Sequence, residues 1–519
     1  MSIVNRVEFR GFGGEFGKNK RVALQTQFED EAMDLEKFWE GVAGLEEIQT
    51  ALVWSLVTIG VLPFHTFNLQ GREFIRNSFQ KKRSMKIYIK GSTTVCPAQD
   101  TPSQRLWISG LDLRVMQRKH APLLYFYKPT GSSDFFQAQV LKEALSKILV
   151  PFYPVAGRLG RDESGRIEIV CNAEGVLFLE AEAVGILDDL GDFAPSSKLQ
   201  QLLPTVDYSG DISSYPLLLI QVTTFKCGGV SLGIHIHHAL ADGTSICHFI
   251  NSWSDMARGQ SLNVSPFLDR TLLHSLVPPA PSFRHVEYDS CPSMITPISF
   301  PGSLSASIFK ITQDHLNNLK AECYKNGTTT TKYSTYNILA AHVWRCVSKA
   351  RCLLHNQATK LSMSVNGRHR LRPPLPSGYF GNAIFRASTI ALSGDLQTEP
   401  LVNTVERIHT ALNQMDDPYL KSALAYLEKV PLNQISSSPS DHEQQCPNVF
   451  INSWRFPIHD ADFGWGHPIF MGRGSIGEGW IYILPSPTDD GTWTLIAGLE
   501  TSHMKLFQQL ICQKLICNL

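Results

Sequence analysis

The feature that most constrains this chain is a strand-to-helix junction near its middle. Two apolar, β-branched runs, Leu217–Phe225 and Val230–Ile236, are separated by a glycine-containing turn and predict a β-hairpin. Apolar side chains at helical spacing between Thr244 and Met256 predict a helix directly afterwards. The connecting segment, Ile236–Gly243, reads IHHALADG. Its side chains lie where they can face a cleft while a rigid scaffold holds them.

The rest of the chain indicates an α/β protein in two halves. From Met85 onward, strand-like and helix-like segments alternate. A proline-containing, aperiodic stretch at 276–305 is typical of a linker. We therefore expect one α/β domain over 85–275, a crossover linker over 276–305, and a second α/β domain over 306–519.

Residues 1–84 differ in character from the rest of the chain. They are glycine-rich and then acidic, and their apolar run Ala51–Phe64 has only 14 residues. Such a run is too short to span a bilayer and too far along the chain for a signal peptide. We expect 1–84 to be an extension outside the fold, with Met85 as the functional start.

The composition excludes several classes of function. Lys and Arg total 47 and Asp and Glu also total 47, so no net charge favours nucleic acid or an anionic membrane surface. A hydrophobic content of 43% is typical of a globular protein. The 11 cysteines include no CxxC pair, which favours reduced thiols in a cytoplasmic protein.

The central motif carries residues suited to acid–base catalysis. A histidine, His238, with an aspartate four positions later, Asp242, can take a proton from a hydroxyl while the carboxylate fixes the ring or its loop. Gly243 permits a sharp turn into the helix. The alternative from these residues alone is that Asp242 caps the helix and the histidines are polar tips of a strand.

A metal site is the less favoured alternative for the same segment. His235 and His237 alternate to one face of the predicted strand, whereas His238 points to the other. No HExxH helix or third carboxylate at ligand spacing accompanies them. We expect no metal here.

A second motif lies near the C-terminus, at Asp460–Pro468. Gly464 and Gly466 flank Trp465, which predicts a tight turn that projects the indole. The indole N–H is only a donor, which suits an oxyanion or carbonyl. In the alternative, the tryptophan packs on the core and Asp462 is ion-paired. We group Asp462 with the catalytic residues, and expect it to act by fixing the loop.

Together the two motifs resemble the plant BAHD acyl-CoA-dependent acyltransferases. HHALADG and DFGWG carry the resemblance, which extends from Met85 to about Phe507. Further matching runs favour the hydroxycinnamoyltransferase branch, which includes the shikimate/quinate enzymes and rosmarinate synthase; they are Leu123–Gly131, Glu143–Asp162, Gly191–Pro195, Phe249–Gly259, Pro266–Leu273, Gly378–Asn382 and Leu484–Pro487.

The resemblance implies a fold and a mechanism. The fold is two chloramphenicol-acetyltransferase-like α/β domains with a channel between them. His238 is the implied base, which activates an acceptor hydroxyl toward the thioester of an acyl-CoA, p-coumaroyl-CoA or caffeoyl-CoA. Trp465 stabilises the oxyanion, and Asp242 pairs with an arginine such as Arg368. The acyl-CoA is a co-substrate and no cofactor is implied; the family also implies a monomer.

The acceptor side departs from the shikimate/quinate enzymes. There, an arginine before a Cys-Pro-Asn stretch clamps the acceptor carboxylate, with a threonine two residues before a tryptophan. Here Leu432–Cys446 contains no Arg or Lys, and Asn452 stands two before Trp454. A bidentate arginine clamp is hard to replace with neutral groups. We predict that shikimate and quinate are poor acceptors and that another small-molecule alcohol is used, with Arg455 as a substitute clamp.

Two other functions remain open from the sequence. In the first of these functions, the acceptor is an amine and the protein is an N-acyltransferase. In the other, the chain binds an acyl-CoA or a partner without turnover. The presence of His238, Asp242 and Trp465 argues against a non-catalytic relative.

Overall fold

The computed structural model describes residues 85–116, 119–275, 278–289, 303–325, 331–430, 448–454, 456–486 and 491–516. The predictions made for 1–84, for Arg455 and for the segment 432–446 lie outside the described residues. All of the described strands and helices belong to one structural unit.

The strands confirm the alternating pattern expected from the sequence. In chain order they are β1 Lys86–Val95, β2 Gln104–Trp107, β3 His120–Tyr127, β4 Arg158–Arg161, β5 Ile167–Cys171, β6 Val176–Val184, β7 Leu218–Phe225, β8 Val230–His237, β9 Leu304–Ile311, β10 Ala358–Asn366, β11 Ile384–Leu392, β12 Asn448–Ser453, β13 Phe470–Gly472, β14 Trp480–Pro485 and β15 Trp493–Glu500.

The α-helices follow the apolar periodicity of the sequence, and several begin at a side-chain cap such as Ser334 or Asp416. They are α1 Gly110–Val115, α2 Ala138–Ile148, α3 Ser197–Gln200, α4 Gly243–Ala257, α5 Gln313–Tyr324, α6 Thr335–Ala350, α7 Ser393–Thr398, α8 Leu401–Asn413, α9 Asp417–Lys429 and α10 Thr501–Ile516. None of the described helices is long and apolar enough to cross a membrane.

The strands form two six-stranded sheets, which confirms the predicted pair of α/β domains. The first has the order β1-β6-β7-β8-β3-β13 and the second β11-β10-β12-β14-β15-β9. A small sheet, β2-β5-β4, accompanies the first. The predicted hairpin is β7–β8, an antiparallel pair at the centre of the first sheet.

One strand crosses the division that the sequence predicted at 276–305. Strand β13, Phe470–Gly472, pairs with β3 in the first sheet although it belongs to the second half of the chain. The segment that precedes it, which contains DFGWG, is thereby drawn against the first domain. Sequence periodicity gives no signal for such a long-range pairing.

The second sheet is buried on both faces, and each face contacts a different core. On β14, Ile481 and Ile483 join the core formed with helices of the second domain. Tyr482 and Leu484 point the other way and join the core of the first domain. Because successive strand residues alternate between faces, one face of this sheet lies toward the first domain. The candidate site is built at this contact.

Candidate active site

The HHALADG segment forms the predicted junction between a strand and a helix. Strand β8 ends at His237 and α4 begins at Gly243. The Asp242 carboxylate caps the helix by accepting a hydrogen bond from the Ser245 amide at 3.0 Å. The capping role weighed as an alternative is therefore one part of what Asp242 does.

Asp242 also joins the two domains through a buried ion pair. Arg368 donates to both carboxylate oxygens of Asp242, at 2.8 and 3.0 Å. The Ala383 amide donates to the same carboxylate at 2.9 Å. Because both oxygens are occupied and the residue is only 1% exposed, Asp242 positions the turn and is not placed to transfer protons.

Gly243 supplies space for a neighbouring side chain, and not the backbone freedom that the sequence suggested. Its φ does not fall in the left-handed region, so conformational freedom is not the constraint. A Cβ at this position would lie 2.8 Å from Cζ of Phe456, which is too close. The glycine lets an aromatic side chain from the second half of the chain lie against the start of α4.

His238 is half-buried, and its backbone is held from both sides. Its amide donates to the Lys119 carbonyl at 2.8 Å, next to strand β3. Its carbonyl accepts from the Asn382 side chain at 2.8 Å. Asn382 also donates through its amide nitrogens to the buried Asp112 carboxylate, at 2.8 and 3.0 Å.

The next two carbonyls of the turn are held by Arg270. Its guanidinium donates to the Ala239 carbonyl at 3.1 Å and to the Leu240 carbonyl at 2.5 Å. Arg270 is 2% exposed and pairs with Asp112 at 3.3 Å. Three consecutive carbonyls after the strand are therefore fixed by buried donors, and the His238 side chain projects from a rigid turn.

Asn382 and Arg270 are functional residues that sequence reasoning missed. Both lie inside runs that carried the resemblance, Gly378–Asn382 and Pro266–Leu273, but neither run has a spacing that assigns a role. The available signal was chemical: a polar or charged residue within a mostly apolar stretch needs a buried partner. The identity of that partner depends on tertiary contacts.

The environment of the His237 side chain differs from that of His238, as does the direction in which it points. It is 1% exposed, and its Nδ1 accepts from the Ala239 amide at 3.3 Å. Burial, with a smaller effect of His238, lowers the pKa of His237 to about 3. Burial likewise lowers the pKa of His120 to about 3 and that of His235 to about 4. These three rings are neutral at neutral pH and form a layer behind the turn.

The DFGWG loop is stabilised by its own aspartate. The Asp462 carboxylate accepts from the amides of Gly464 and Gly466, each at 2.9 Å. Both glycines have positive φ, 103° and 98°, as the predicted tight turn requires. Asp462 also lies 3.6 Å from the guanidinium of Arg258, which follows the last residue of α4.

Trp465 is directed toward a loop of the first domain. Its indole N–H donates to the Asp134 carboxylate at 3.3 Å. The ring packs on Phe136, with centroids 5.1 Å apart, and on Phe135 at 6.2 Å. The alternative weighed from the sequence, a packed tryptophan beside a paired aspartate, describes these contacts.

The geometry favours the structural role expected for Asp462, and it favours such a role for Trp465 over contact with the reacting oxygen. The loop contacts Arg258 at the C-terminal end of α4, while His238 precedes the N-terminal end. Helix α4 has 15 residues, which corresponds to about 22 Å at about 1.5 Å per residue. The Asp462 carboxylate therefore contacts the end of α4 that is opposite to the turn carrying His238.

Two of the predicted acceptor residues, Asn452 and Trp454, lie on the face of the second sheet that is turned toward the first domain. Asn452 accepts from the Ser364 hydroxyl at 2.5 Å and is the cross-strand neighbour of Tyr482. Trp454 packs on Tyr482 at 5.1 Å and on Phe456 at 5.8 Å. Because Phe456 also contacts Gly243, these aromatic rings connect the predicted acceptor region to the catalytic turn.

The chain matches the transferase family over residues 85–512. It belongs to this family, the BAHD acyltransferases. The match covers both domains. As a BAHD enzyme, the protein is an acyl-CoA-dependent acyltransferase.

Relatives of known activity extend the comparison over the same residues. The chain is 55% identical to shikimate O-hydroxycinnamoyltransferase of Nicotiana tabacum, over 82% of this chain and 99% of that protein. It is 50% identical to hydroxycinnamoyl-CoA:5-hydroxyanthranilate N-hydroxycinnamoyltransferase of Avena sativa, with the same coverage. It is 42% identical to rosmarinate synthase of Plectranthus scutellarioides, again with that coverage.

Solved structures agree on the fold. Vinorine synthase superposes with a TM-score of 0.63 at 22% identity, covering 81% of this chain and 96% of that protein. TRI101 of F. sporotrichioides, solved with coenzyme A and T-2, superposes with a TM-score of 0.62 at 19% identity, covering 78% and 97%. At these identities the likeness establishes the two-domain architecture of this BAHD enzyme.

Proposed function

We propose that this enzyme transfers a hydroxycinnamoyl group from CoA to a hydroxyl of a small-molecule acceptor, with His238 as general base. The observation that carries the proposal is the rigid turn at His238. Asn382 and Arg270 hold its carbonyls, and the Asp242–Arg368 pair holds its exit into α4. A half-buried imidazole on such a turn is preorganised for proton transfer.

The reaction follows from the chemistry of the imidazole. The neutral His238 ring takes the proton of the acceptor hydroxyl as its oxygen attacks the thioester carbonyl. The tetrahedral intermediate then collapses, the carbon–sulfur bond breaks, and the CoA thiolate regains a proton from the His238 imidazolium. The products are an ester and free CoA. This proposed reaction uses no covalent enzyme intermediate and needs no metal or further cofactor.

The donor is proposed from the relatives. Two of those described above are named as hydroxycinnamoyltransferases, and they share 55% and 50% of residues with this chain over nearly their full length. A p-coumaroyl or caffeoyl thioester is therefore the proposed donor. We further propose that the enzyme acts as a monomer in the cytoplasm.

An amine acceptor is the second candidate. The oat relative is named for N-acylation of 5-hydroxyanthranilate, and it is 50% identical to this chain. Once the ammonium group is deprotonated, the same base can take the proton released as an amine nitrogen attacks the thioester. The proposed catalytic turn therefore serves ester or amide formation, and the acceptor pocket decides between them.

An acceptor panel tests the proposal directly. Purified enzyme is mixed with p-coumaroyl-CoA and, in turn, 4-hydroxyphenyllactate, malate, 5-hydroxyanthranilate, shikimate and quinate, and thiol release is measured. We expect at least one of the first three to be used, and shikimate and quinate to be poor because 432–446 contains no Arg or Lys. His238→Ala controls for release without the base. Turnover equal to wild type in that variant would refute the assignment, and efficient use of quinate would refute the acceptor prediction.

A further inference from the structure

The carboxylate of Asp112, on helix α1, binds donors from three separate segments of the chain. Its Oδ1 accepts from the backbone amide of Asn382 at 3.0 Å and from the Asn382 side chain at 2.8 Å. Its Oδ2 accepts from the amide and the hydroxyl of Ser109, each at 2.8 Å. The Arg270 guanidinium lies 3.3 Å from Oδ1. Because Asp112 is 0% exposed, these groups take the place of water around the carboxylate.

The segments that meet at Asp112 belong to both domains. Ser109 and Arg270 lie in the first domain, and Asn382 lies just before β11 in the second. Helix α1 contacts the same part of the second domain again through Arg114, a buried residue that donates to the Ile384 carbonyl at 3.5 Å. Helix α1 is therefore held against the segment that supports the catalytic turn.

Asn382 connects Asp112 to the carbonyl of His238. Its Nδ2 donates to Asp112 and to the His238 carbonyl, each at 2.8 Å. A side-chain amide nitrogen carries two hydrogens, so both are used. If the amide were rotated, its oxygen would face two other oxygens, neither of which can donate. The Asp112 carboxylate thereby sets the orientation in which Asn382 holds the turn.

Arg270 connects Asp112 to the next two carbonyls of the turn. The same Nη1 that donates to the Ala239 carbonyl at 3.1 Å lies 3.3 Å from Asp112, while Nη2 donates to the Leu240 carbonyl. Arg270 is 2% exposed. A buried guanidinium that loses its counter-ion is strongly destabilised, so we expect it to move toward water. The two carbonyls would then lose their donors.

The chemistry of the cluster calls for a carboxylate at this position. Both oxygens of an ionised carboxylate are acceptors, and the groups around Asp112 are donors. An asparagine here would place its NH2 group either against the Ser109 amide or against Asn382 and Arg270. In each orientation a buried donor faces another donor, so the substitution keeps the size of the side chain and removes one of its acceptors.

We propose that Asp112 is a positioning residue for acyl transfer. It acts through Asn382 and Arg270, which hold three consecutive carbonyls, and thereby fixes the direction in which the His238 ring meets the acceptor. A displacement of about 1 Å in a reacting group can reduce a rate by about 100-fold. The inference deepens the proposed function, since it rests on His238 as the base.

The direct test is the kinetics of Asp112→Asn with p-coumaroyl-CoA and the best acceptor of the panel described above. We expect kcat to fall about 100-fold, while the KM of each substrate stays within about threefold of wild type, because the substitution leaves the binding surfaces unchanged. Unchanged kcat in the folded variant would overturn the proposal.

A second substitution covers the case in which Asp112→Asn does not fold. Asp112→Ser leaves room for a water that can accept from the same donors. We expect the same loss of kcat, because a water holds Asn382 and Arg270 less firmly than a carboxylate does. Failure of both variants to fold would assign Asp112 to the fold alone and overturn the proposal.

Ser334→Ala is the matched control for lost stability. Ser334 caps α6 of the second domain by accepting from the Asn337 amide at 3.1 Å. Loss of such a cap should lower the Tm without changing the turn. We expect kcat within about twofold of wild type. A fall in kcat equal to that of Asp112→Asn would show that lost stability accounts for both, and would overturn the proposal.

A double variant tests whether Asp112 acts through Asn382. Asn382→Ala alone should lower kcat about tenfold. If both residues act on the same carbonyl, Asp112→Asn/Asn382→Ala should lose little more than Asp112→Asn alone. Independent effects would multiply to about 1,000-fold, and that outcome would overturn the proposal.

Hydrogen exchange of the turn separates this proposal from the proposed reaction, because it requires no turnover. The His238 amide donates to the Lys119 carbonyl at 2.8 Å. We expect this amide to exchange about tenfold faster in Asp112→Asn than in wild type, and at the wild-type rate in Ser334→Ala. Exchange at the wild-type rate in Asp112→Asn would overturn the proposal. If no acceptor releases CoA while exchange of the turn is faster, the reaction fails and the positioning of the turn by Asp112 stands.

Discussion

The HHALADG turn and the DFGWG loop lie at opposite ends of the same helix, α4, and their polar groups make different kinds of contact. At the N-terminal end of α4, the carbonyls of the turn are held by Asn382 and Arg270, and the turn carries a half-buried histidine. At the C-terminal end, the polar groups of the loop bind one another and nearby residues: Asp462 binds its own loop amides, and the Trp465 indole N–H donates to Asp134.

The difference shows how contacts help to assign a catalytic or a structural role to a motif that contains catalytic residue types. Both segments combine an acidic residue, a glycine and a side chain suited to catalysis, so their sequences support the same hypothesis. The contacts distinguish them. Other side chains hold the backbone of the turn at His238, which supports the proposal that this histidine acts on substrate. Asp462 and Trp465 instead use their own polar atoms to hold the loop and its neighbours.

The largest structural effect is expected at the domain contact that supports the turn. Arg368→Gln leaves the buried Asp242 carboxylate without its counter-ion, which should reduce the free energy of unfolding by about 3–5 kcal/mol. Chemical denaturation measures it. The double variant Arg368→Gln/Asp242→Asn should recover part of the loss, because the unpaired charge is gone. Equal instability of single and double variants would contradict the ion-pair account.

A smaller effect is expected from the neutral histidine layer behind the turn. His237 has a native pKa of about 3 against an ordinary value of 6.5, so the unfolded chain binds more protons in between and stability falls as pH falls. One such group contributes about 2 kcal/mol of lost stability between pH 8 and pH 5. His237→Asn, whose side-chain oxygen can replace Nδ1 toward Ala239, should remove that portion of the pH dependence. An unchanged pH profile would show that His237 is not buried neutral.

Asn382, which donates to the His238 carbonyl, should matter less for the stability of the fold than for the rate of acyl transfer. Asn382→Ala removes one hydrogen bond to that carbonyl and one to Asp112, which should lower stability by about 1–2 kcal/mol. Because the His238 carbonyl is then no longer held by Asn382, kcat should fall about tenfold while the donor KM stays near wild type. A change in KM alone would assign Asn382 to substrate binding.

The smallest effect is expected in the DFGWG loop. Trp465→Phe keeps the aromatic packing on Phe136 and loses a hydrogen bond of 3.3 Å to an exposed carboxylate. Because water competes for such a bond, we expect little change in Tm and turnover within about threefold of wild type. A loss of about 100-fold or more with an intact fold would restore the oxyanion role for the indole.

Local patterns account for what could be predicted from the sequence. The β7–β8 hairpin, the start of α4 and the tight turn at Gly464 and Gly466 all follow from neighbours in the chain, and the structure has each of them. The direction of Trp465 could not be predicted, because it depends on Phe136, on the pairing of β13 with β3, and on the length of α4. The partners of Asp112 and Arg114 likewise come from distant segments.

One paired measurement tests whether the chemistry occurs at the HHALADG turn and not at the DFGWG loop. Turnover of p-coumaroyl-CoA with its best acceptor is compared for His238→Ala and Asp462→Asn, both verified as folded by their thermal unfolding. We expect a loss of about 10²–10⁴-fold for His238→Ala. For Asp462→Asn we expect a loss below about tenfold, because the amide oxygen can still accept from the glycine amides. A larger loss for Asp462→Asn than for His238→Ala would contradict this expectation.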